Sequence, residues 1–265
     1  MKLTSSCSIV TFNYDTRLCQ IHRYFAIKSP IYKESKIDIL INNNYVKQFS
    51  DLPSIGLTNY WSFNNHVNDL IGGANMTGGS SKGKSFVKDK YGIDSAALYL
   101  NDGFYNLPNG VYISGDFTLS VWIKLISSND YARLLSINNI NNITNGFTDS
   151  VQFTIGSSLS KQINPYINFT HINGSSWRIQ STKGLTMNKW QHLVFRLNGT
   201  DLNIIIDGEL TEKCPTPMIP NAVIRNNVQF GALNGYGNQR PDAYMDELRL
   251  YNRSLSYDEI MSFTL

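Results

Sequence analysis

The stretch FTLSVWIKL, residues 117–125, decides the fold. Phe117, Leu119, Val121, Ile123 and Leu125 fall on one face of an extended chain, and Thr118, Ser120, Trp122 and Lys124 on the other. Successive side chains of a strand point to opposite faces, so this period of two marks a strand with one face against a core. The pattern recurs in WQHLVFRLNGTDLNIIIDGEL, residues 190–210, with Leu193, Phe195 and Leu197 on one strand and Leu202, Ile204 and Ile206 on the next. Asn198-Gly199 and Asp207-Gly208 supply the positive φ angles of two consecutive hairpin turns. A last strand runs from Ala243 to Tyr251, and Ser256 with Glu259 three residues on forms a capping box for a short terminal helix.

Composition agrees with an all-β chain. Of 265 residues, 42% are hydrophobic and 16% charged, with many Tyr and Phe, which suits strands better than a helical bundle. The net charge is +3, but the lysines and arginines are scattered singly, so no stripe exists to track a phosphate backbone and nucleic acid is not an expected partner. No window approaches the roughly 18 apolar residues of a membrane span, so no membrane insertion is expected. The first residues, MKLTSSCSIV, lack the apolar core of a secretory signal. The wealth of Asn, Ser and Thr nevertheless reads as extracellular, and the chain as a piece of a larger multidomain protein. Glycosylation sequons begin at Asn75, Asn142, Asn168, Asn173, Asn198 and Asn252, about as many as chance supplies in this composition.

Two segments are expected, 1–53 and 54–265. In the first, CSIVTFNYDTRLC between Cys7 and Cys19 alternates like a hairpin; it is closed by a Cys7–Cys19 disulfide or else carries two free thiols. This short segment resembles the C-terminal end of an apple or PAN module, without that module's preceding cysteines. A connector with a short strand at Lys36 to Ile41 follows.

Four separated segments resemble the laminin-G-like superfamily, which includes pentraxins and legume-type lectins. They are Tyr60 to Phe63, Ala97 to Leu100 through Gly115 to Trp122, Trp190 to Val194 through Ile206 to Gly208, and Met245 to Leu248 through Leu255 to Ile260. The resemblance implies a concanavalin-type jelly roll of two antiparallel sheets, with one short C-terminal helix and a small N-terminal hairpin appendage, and it implies recognition rather than catalysis.

Sandwich glucanases need paired carboxylates. The five glutamates, at 34, 209, 212, 247 and 259, form no Glu-x-Asp-x-Glu motif, and His22, His66, His171 and His192 show no triad spacing, so no catalytic residue is expected. Cys214 in Cys-Pro-Thr-Pro reads as an unpaired bystander or a partner for a missing segment. Asp149-Ser150 resembles the Asp-Asn pair of pentraxin calcium sites, but the matching loop, Gly231 to Asn238, lacks carboxylates. One calcium held by Asp149, Asn234 and carbonyls is the metal expectation, and an ordinary polar loop the alternative. Asp246 is expected to face buried surface with Tyr244, Leu248 and Leu250, neutralised by backbone N–H groups or an Arg and pinning the last strand beside Glu247. Trp61, Trp122 and Trp190 read as core residues. Trp177, with Tyr236 and Asn238, is the candidate ligand contact. The expected function is an extracellular recognition module for glycans or proteins; a structural spacer is the alternative and a glycan hydrolase a remote one. The oligomeric state is left open.

Overall fold

The alternation at residues 117–125 forms, in the computed structural model, a strand at the centre of one of two antiparallel sheets. The structure describes residues 8–13, 18–23, 53–80, 82–127, 129, 131–140, 146–156, 163–237 and 239–264. In chain order the strands are β1 (Ser8–Asn13), β2 (Leu18–Arg23), β3 (Leu57–Trp61), β4 (Lys84–Val87), β5 (Ala97–Asn101), β6 (Tyr105–Leu107), β7 (Phe117–Ser127) and β8 (Arg133–Ile140). They continue with β9 (Phe147–Thr154), β10 (Tyr166–Thr170), β11 (Ser176–Gln180), β12 (Gln191–Asn198), β13 (Asp201–Ile206), β14 (Glu209–Pro215), β15 (Asn227–Phe230) and β16 (Asp242–Tyr251), and the chain ends in helix α1 (Tyr257–Met261).

Residues 1–53 and Ser54–Thr264 are separate units. In the first, β1 and β2 pair as a hairpin with Phe12 opposite Cys19 and Ser8 opposite Arg23. Arg23 lies four residues, or about 13 Å, along the strand from Cys19. Cys7 and the Lys36 to Ile41 segment fall outside the described residues, and with them the expected disulfide and strand.

In the second unit six strands run in the order β11-β10-β9-β8-β15-β6, and eight form the facing sheet, β14-β13-β12-β7-β16-β5-β4 with β3 also on β16. The two sheets meet through aromatic contacts. Phe153 of the six-stranded sheet lies 5.8 Å from Phe117 and 5.1 Å from Phe195 of the other, and Phe63 lies 5.4 Å from Phe230. All five are fully buried, worth about 2–3 kcal/mol each in apolar transfer. The turn at Asp207-Gly208 has both φ angles positive (51° and 77°), as a two-residue hairpin turn of this hand requires. The other turn is shifted by one residue: Asn198 pairs with Asp201 in the ladder, and Gly199 alone, at 59°, takes the left-handed angle.

The outer face of β7 is more covered than its polar residues suggest. Thr118 and Ser120 are fully buried, because Thr118 Oγ1 donates to the Arg253 carbonyl at 2.9 Å and accepts from Leu255 N–H at 2.9 Å, tying the C-terminal segment across the sheet. Ser256 caps α1 in a full capping box with Glu259, whose carboxylate also takes two bonds from Arg253. Phe263 then covers His192 at 5.3 Å between ring centroids.

Asp246 departs from its expected facing, for a local reason. Its neighbour Glu247 adopts φ 56°, and the ladder to β7 shifts register between Asp246 and Arg249. This bulge inserts one residue, so Asp246 stays beside Trp122 on the outer face while Leu248 and Leu250 turn into the core. Glu247 accepts from Tyr60 Oη at 2.8 Å and pairs with Arg249. Asp246 is buried, and its Oδ1 has no hydrogen-bond partner among the described residues.

Two buried groups on this face set opposite pH dependences. Burial first, then Arg249 and Lys90, push the His192 imidazole down to about 3. An unfolded histidine titrates near 6.5, so the unfolded chain binds more protons between these values, and this contribution to stability is lost as pH falls from about 6.5 toward about 3. Asp246 is raised by burial, Glu247 and Asp89, so its contribution is present at low pH and is lost as pH rises through its folded value. In urea titrations, His192→Phe is expected to remove part of the fall in midpoint between about pH 6.5 and about pH 4.5, and Asp246→Asn to raise the midpoint more at about pH 8 than at about pH 5. Unchanged pH profiles in both variants would contradict this account.

Candidate functional site

The side of the six-stranded sheet that faces away from the core is mainly polar, with Ile140 and Phe147 at one end. Cross-strand pairing sets Asn106, Gln229, Ser136, Gln152, Asn168 and Arg178 in one row that crosses all six strands. A parallel row holds Arg133, Thr154, Tyr166 and Gln180, and on the other flank lie Asn227 with Asn138 and Ser150 with Thr170 and Ser176. The amides are chained: Gln152 Nε2 donates to Asn138 Oδ1 and Gln229 Nε2 to Asn106 Oδ1, both at 3.1 Å. Arg133 donates to Thr154 Oγ1 at 2.8 Å and Tyr166 Oη at 3.2 Å, and Arg178 lies over the Tyr166 ring at 5.1 Å. Ser136 Oγ, Asn138 Nδ2, Asn227 Oδ1 and Gln229 Oε1 are buried with no hydrogen-bond partner among the described residues. An unmet buried polar atom costs about 1–3 kcal/mol, so these four are a local cost of placing amides and hydroxyls side by side on this sheet.

The near end of this face is shaped by Asp149. Four residues of β9, Thr148 to Val151, oppose three of β8, Ile137 to Asn139, and Asp149 takes φ 45° in the resulting bulge. Ahead of the bulge Phe147 pairs with Ile140, which shares a face with Asn138, and its ring lies 6.5 Å from that of Tyr236. The bulge is fixed from outside the sheet. Asn221 Nδ2 donates to Asp149 Oδ1 at 2.7 Å, and the fully buried Arg225 donates to the carbonyls of Asp149 (2.9 Å), Ile113 (2.9 Å) and Val223 (3.1 Å). Asp149, Thr170, His171, Asn221 and Arg225 line a small half-open hollow of about 20 Å³, room for about one water molecule.

The sequence candidates are thus dispersed. Asn234 is exposed and is not among the residues lining the hollow around Asp149. Calcium asks for six to eight oxygens. Asp149 gives one carboxylate, already engaged by Asn221 and set against a buried guanidinium, and among the described residues no cluster of three His, Cys, Asp or Glu could hold a metal. These residues do not fit a calcium ion. Trp177, expected to be the exposed aromatic, is half-buried: it pairs with Phe169 across the ladder and stacks on it at 6.3 Å, packed against the core. Tyr236 is 47% exposed and adjoins the polar face through Phe147, whereas Asn238 falls outside the described residues. Of the tryptophans read as core, Trp61 is fully buried, but Trp122 is only half-buried under Lys90 on the outer face of the larger sheet, and Trp190 is also half-buried. Asp246 and Glu247 belong to that larger sheet. Cys214 is a free, half-buried thiol. The polar row itself was missed. Its members alternate with core residues in every strand, but which residue stands beside which depends on strand order and on bulges.

The laminin-G model of the concanavalin A-like lectin/glucanases superfamily matches residues 101–261. The chain belongs to this superfamily. No curated protein matches the sequence. Among solved structures, the concanavalin A-like chain is similar to domain 4 of AbnA, a GH43 extracellular arabinanase from Geobacillus stearothermophilus in complex with arabinotriose, with TM-score 0.63, 17% identity, and 79% of this chain and 98% of that one covered. It is also similar to the binding domain of Paraclostridial Mosquitocidal Protein 1 (TM-score 0.56, 19% identity, 79% and 52% covered). The botulinum neurotoxin serotype G binding domain is comparable (TM-score 0.56, 16% identity, 78% and 50% covered). This chain thus spans about half the length of the two toxin domains. At these identities the likeness establishes the fold. Among the described residues no helix is long and apolar enough to cross a membrane.

Replacing Arg225 by Met removes a buried cation and leaves three carbonyls unmet, so the unfolding free energy is expected to fall by about 3 kcal/mol or more. Equilibrium urea unfolding measures it, and a loss below about 1 kcal/mol would show that the carbonyls are met in another way.

Proposed function

We propose that the concanavalin A-like domain is a non-catalytic, extracellular recognition module that binds a glycan chain along the polar face of the six-stranded sheet. The observation that carries this reading is the row of amide, hydroxyl and guanidinium side chains from Asn106 to Arg178 that crosses all six strands on the side away from the core. Amides and hydroxyls are donors and acceptors together, as sugar hydroxyls are, and the exposed Asn106 and Arg178 with the half-buried Asn168 offer such groups at the surface, while Gln152 and Gln229 shape the floor between them. Phe147 and Tyr236 give aromatic surface for the C–H faces of sugar rings. The three rows contain Arg133 and Arg178 but no carboxylate, which favours neutral or acidic glycans and offers no acid and nucleophile pair for hydrolysis. The arabinotriose complex of the AbnA domain is consistent with a sugar ligand on this fold.

A glycan and glycosaminoglycan array probed with the full chain tests the proposal. Binding is expected, unaffected by EDTA, and weakened about tenfold or more in Gln152→Ala and Gln229→Ala, about 1.4 kcal/mol of affinity. An array blank for every glycan would leave the domain as a spacer or protein-contact module, and binding indifferent to both substitutions would move the site off this face.

A further inference from the structure

We infer that the β11 end of the polar face is an anion subsite, where the exposed Arg178, backed by the buried Arg133, takes the carboxylate or sulfate of an acidic glycan. This rests on the glycan reading of that face and narrows its ligand. Arg133 of β8 and Arg178 of β11 converge on Tyr166 of β10. Their guanidinium carbons lie 5.8 and 5.1 Å from its ring centroid, and Arg133 Nη1 donates to its hydroxyl at 3.2 Å. Tyr131 meets the same ring edge-on at 6.5 Å.

The charge at this place is not balanced by the chain. Of the three buried arginines among the described residues, Arg249 pairs with Glu247 and Arg225 lies beside Asp149. Arg133 has only neutral acceptors: Nε and Nη2 donate to Gln239 Oε1 at 3.0 and 2.8 Å, and Nη1 to Thr154 and Tyr166. Burial pulls its pKa down, and the groups that oppose this are the hydroxyls of Tyr166, Tyr236 and Tyr131. A buried charge without a counter-ion is costly, and a second cation is laid against the same ring. Arg178 makes no ion pair among the described residues either. An anion at the surface beside Arg178 would offset both charges.

The shape of Arg178 suits that role. A planar guanidinium lying over a ring keeps its N–H donors at its edges, and that fork matches two oxygens of a carboxylate or sulfate. In the ladder Asn168 stands opposite Arg178 and Gln180 opposite Tyr166, both half-buried amides that suit the hydroxyls flanking an acidic group.

The test titrates the full chain, by calorimetry, with oligosaccharides of hyaluronan, heparin and polygalacturonate, with counterparts made neutral by desulfation and carboxyl reduction, and with sodium sulfate alone. At least one acidic oligosaccharide is expected to bind about tenfold or more tighter than its neutral counterpart, an advantage that shrinks as salt is raised. Arg178→Gln should remove the advantage with an unchanged thermal midpoint. Arg178→Lys should keep part of it, since the charge stays and the fork is lost. Equal binding of acidic and neutral forms, no binding of any acidic form, or a preference that survives Arg178→Gln overturns the subsite. Sodium sulfate binding as tightly as the oligosaccharides overturns the glycan as its ligand and leaves a free anion. The two readings fail separately. Neutral binding that depends on Gln152 with no acidic preference retains the face and removes the subsite. Acidic binding that depends on Arg178 but on neither Gln152 nor Gln229 retains the subsite and removes the extended row.

Discussion

Phe153 packed between Phe117 and Phe195 is the contact on which the rest of the molecule depends. It joins the sheets at a seam where each strand surrenders every second side chain to the interior. Once that seam is set, the alternate residues of each strand must face outward, and their chemistry is released from packing. The two outward faces then diverge. On the larger sheet, the C-terminal segment lies across β7, bonded to Thr118 through Arg253 and Leu255 and with Phe263 against His192, and Ser120 and Asp246 are buried on the same face. On the smaller sheet, the outward residues are amides and hydroxyls that bond mainly to one another.

Among the register shifts of the two sheets, two bulges coincide with carboxylates at left-handed φ. Glu247 turns β16 by one residue, which keeps its inward row apolar on both sides of the break while Asp246 remains outside. Asp149 does the same in β9 and delivers Phe147 to the polar face. Non-glycine residues in the left-handed region carry local strain that surrounding structure must hold. Here the holding groups are identifiable, Tyr60 and Arg249 for Glu247, Asn221 and Arg225 for Asp149.

These bulges also explain what could be read in advance. The seam was legible at Phe117 to Leu125 and Leu193 to Ile206, because a period of two is a local property of sequence. The capping box at Ser256 and the turn at Asp207-Gly208 were legible for the same reason. The facing of Asp246 relative to Leu248 was not, since one inserted residue inverts every side chain beyond it. Trp177 was read as exposed from its hairpin, yet its partner across the ladder is Phe169, a core residue, and only register reveals that. The row from Asn106 to Arg178 draws one residue from each of six strands separated by up to 123 positions in sequence, so no window contains it.

Asp149 was singled out as a metal ligand, and its environment shows why a carboxylate at this place need not bring calcium. A calcium ion in a loop site gathers carbonyl and carboxylate oxygens from separate segments and fixes their geometry. Arg225 performs that gathering with covalently attached charge: one buried guanidinium draws together the carbonyls of Ile113, Asp149 and Val223, while the backbone of Arg225 itself pairs with Gly110. A second cation at the same spot would face uncompensated repulsion in a poorly solvated setting. The organising charge at this bulge is therefore built into the chain, and Asn221 takes up Oδ1 of the Asp149 carboxylate.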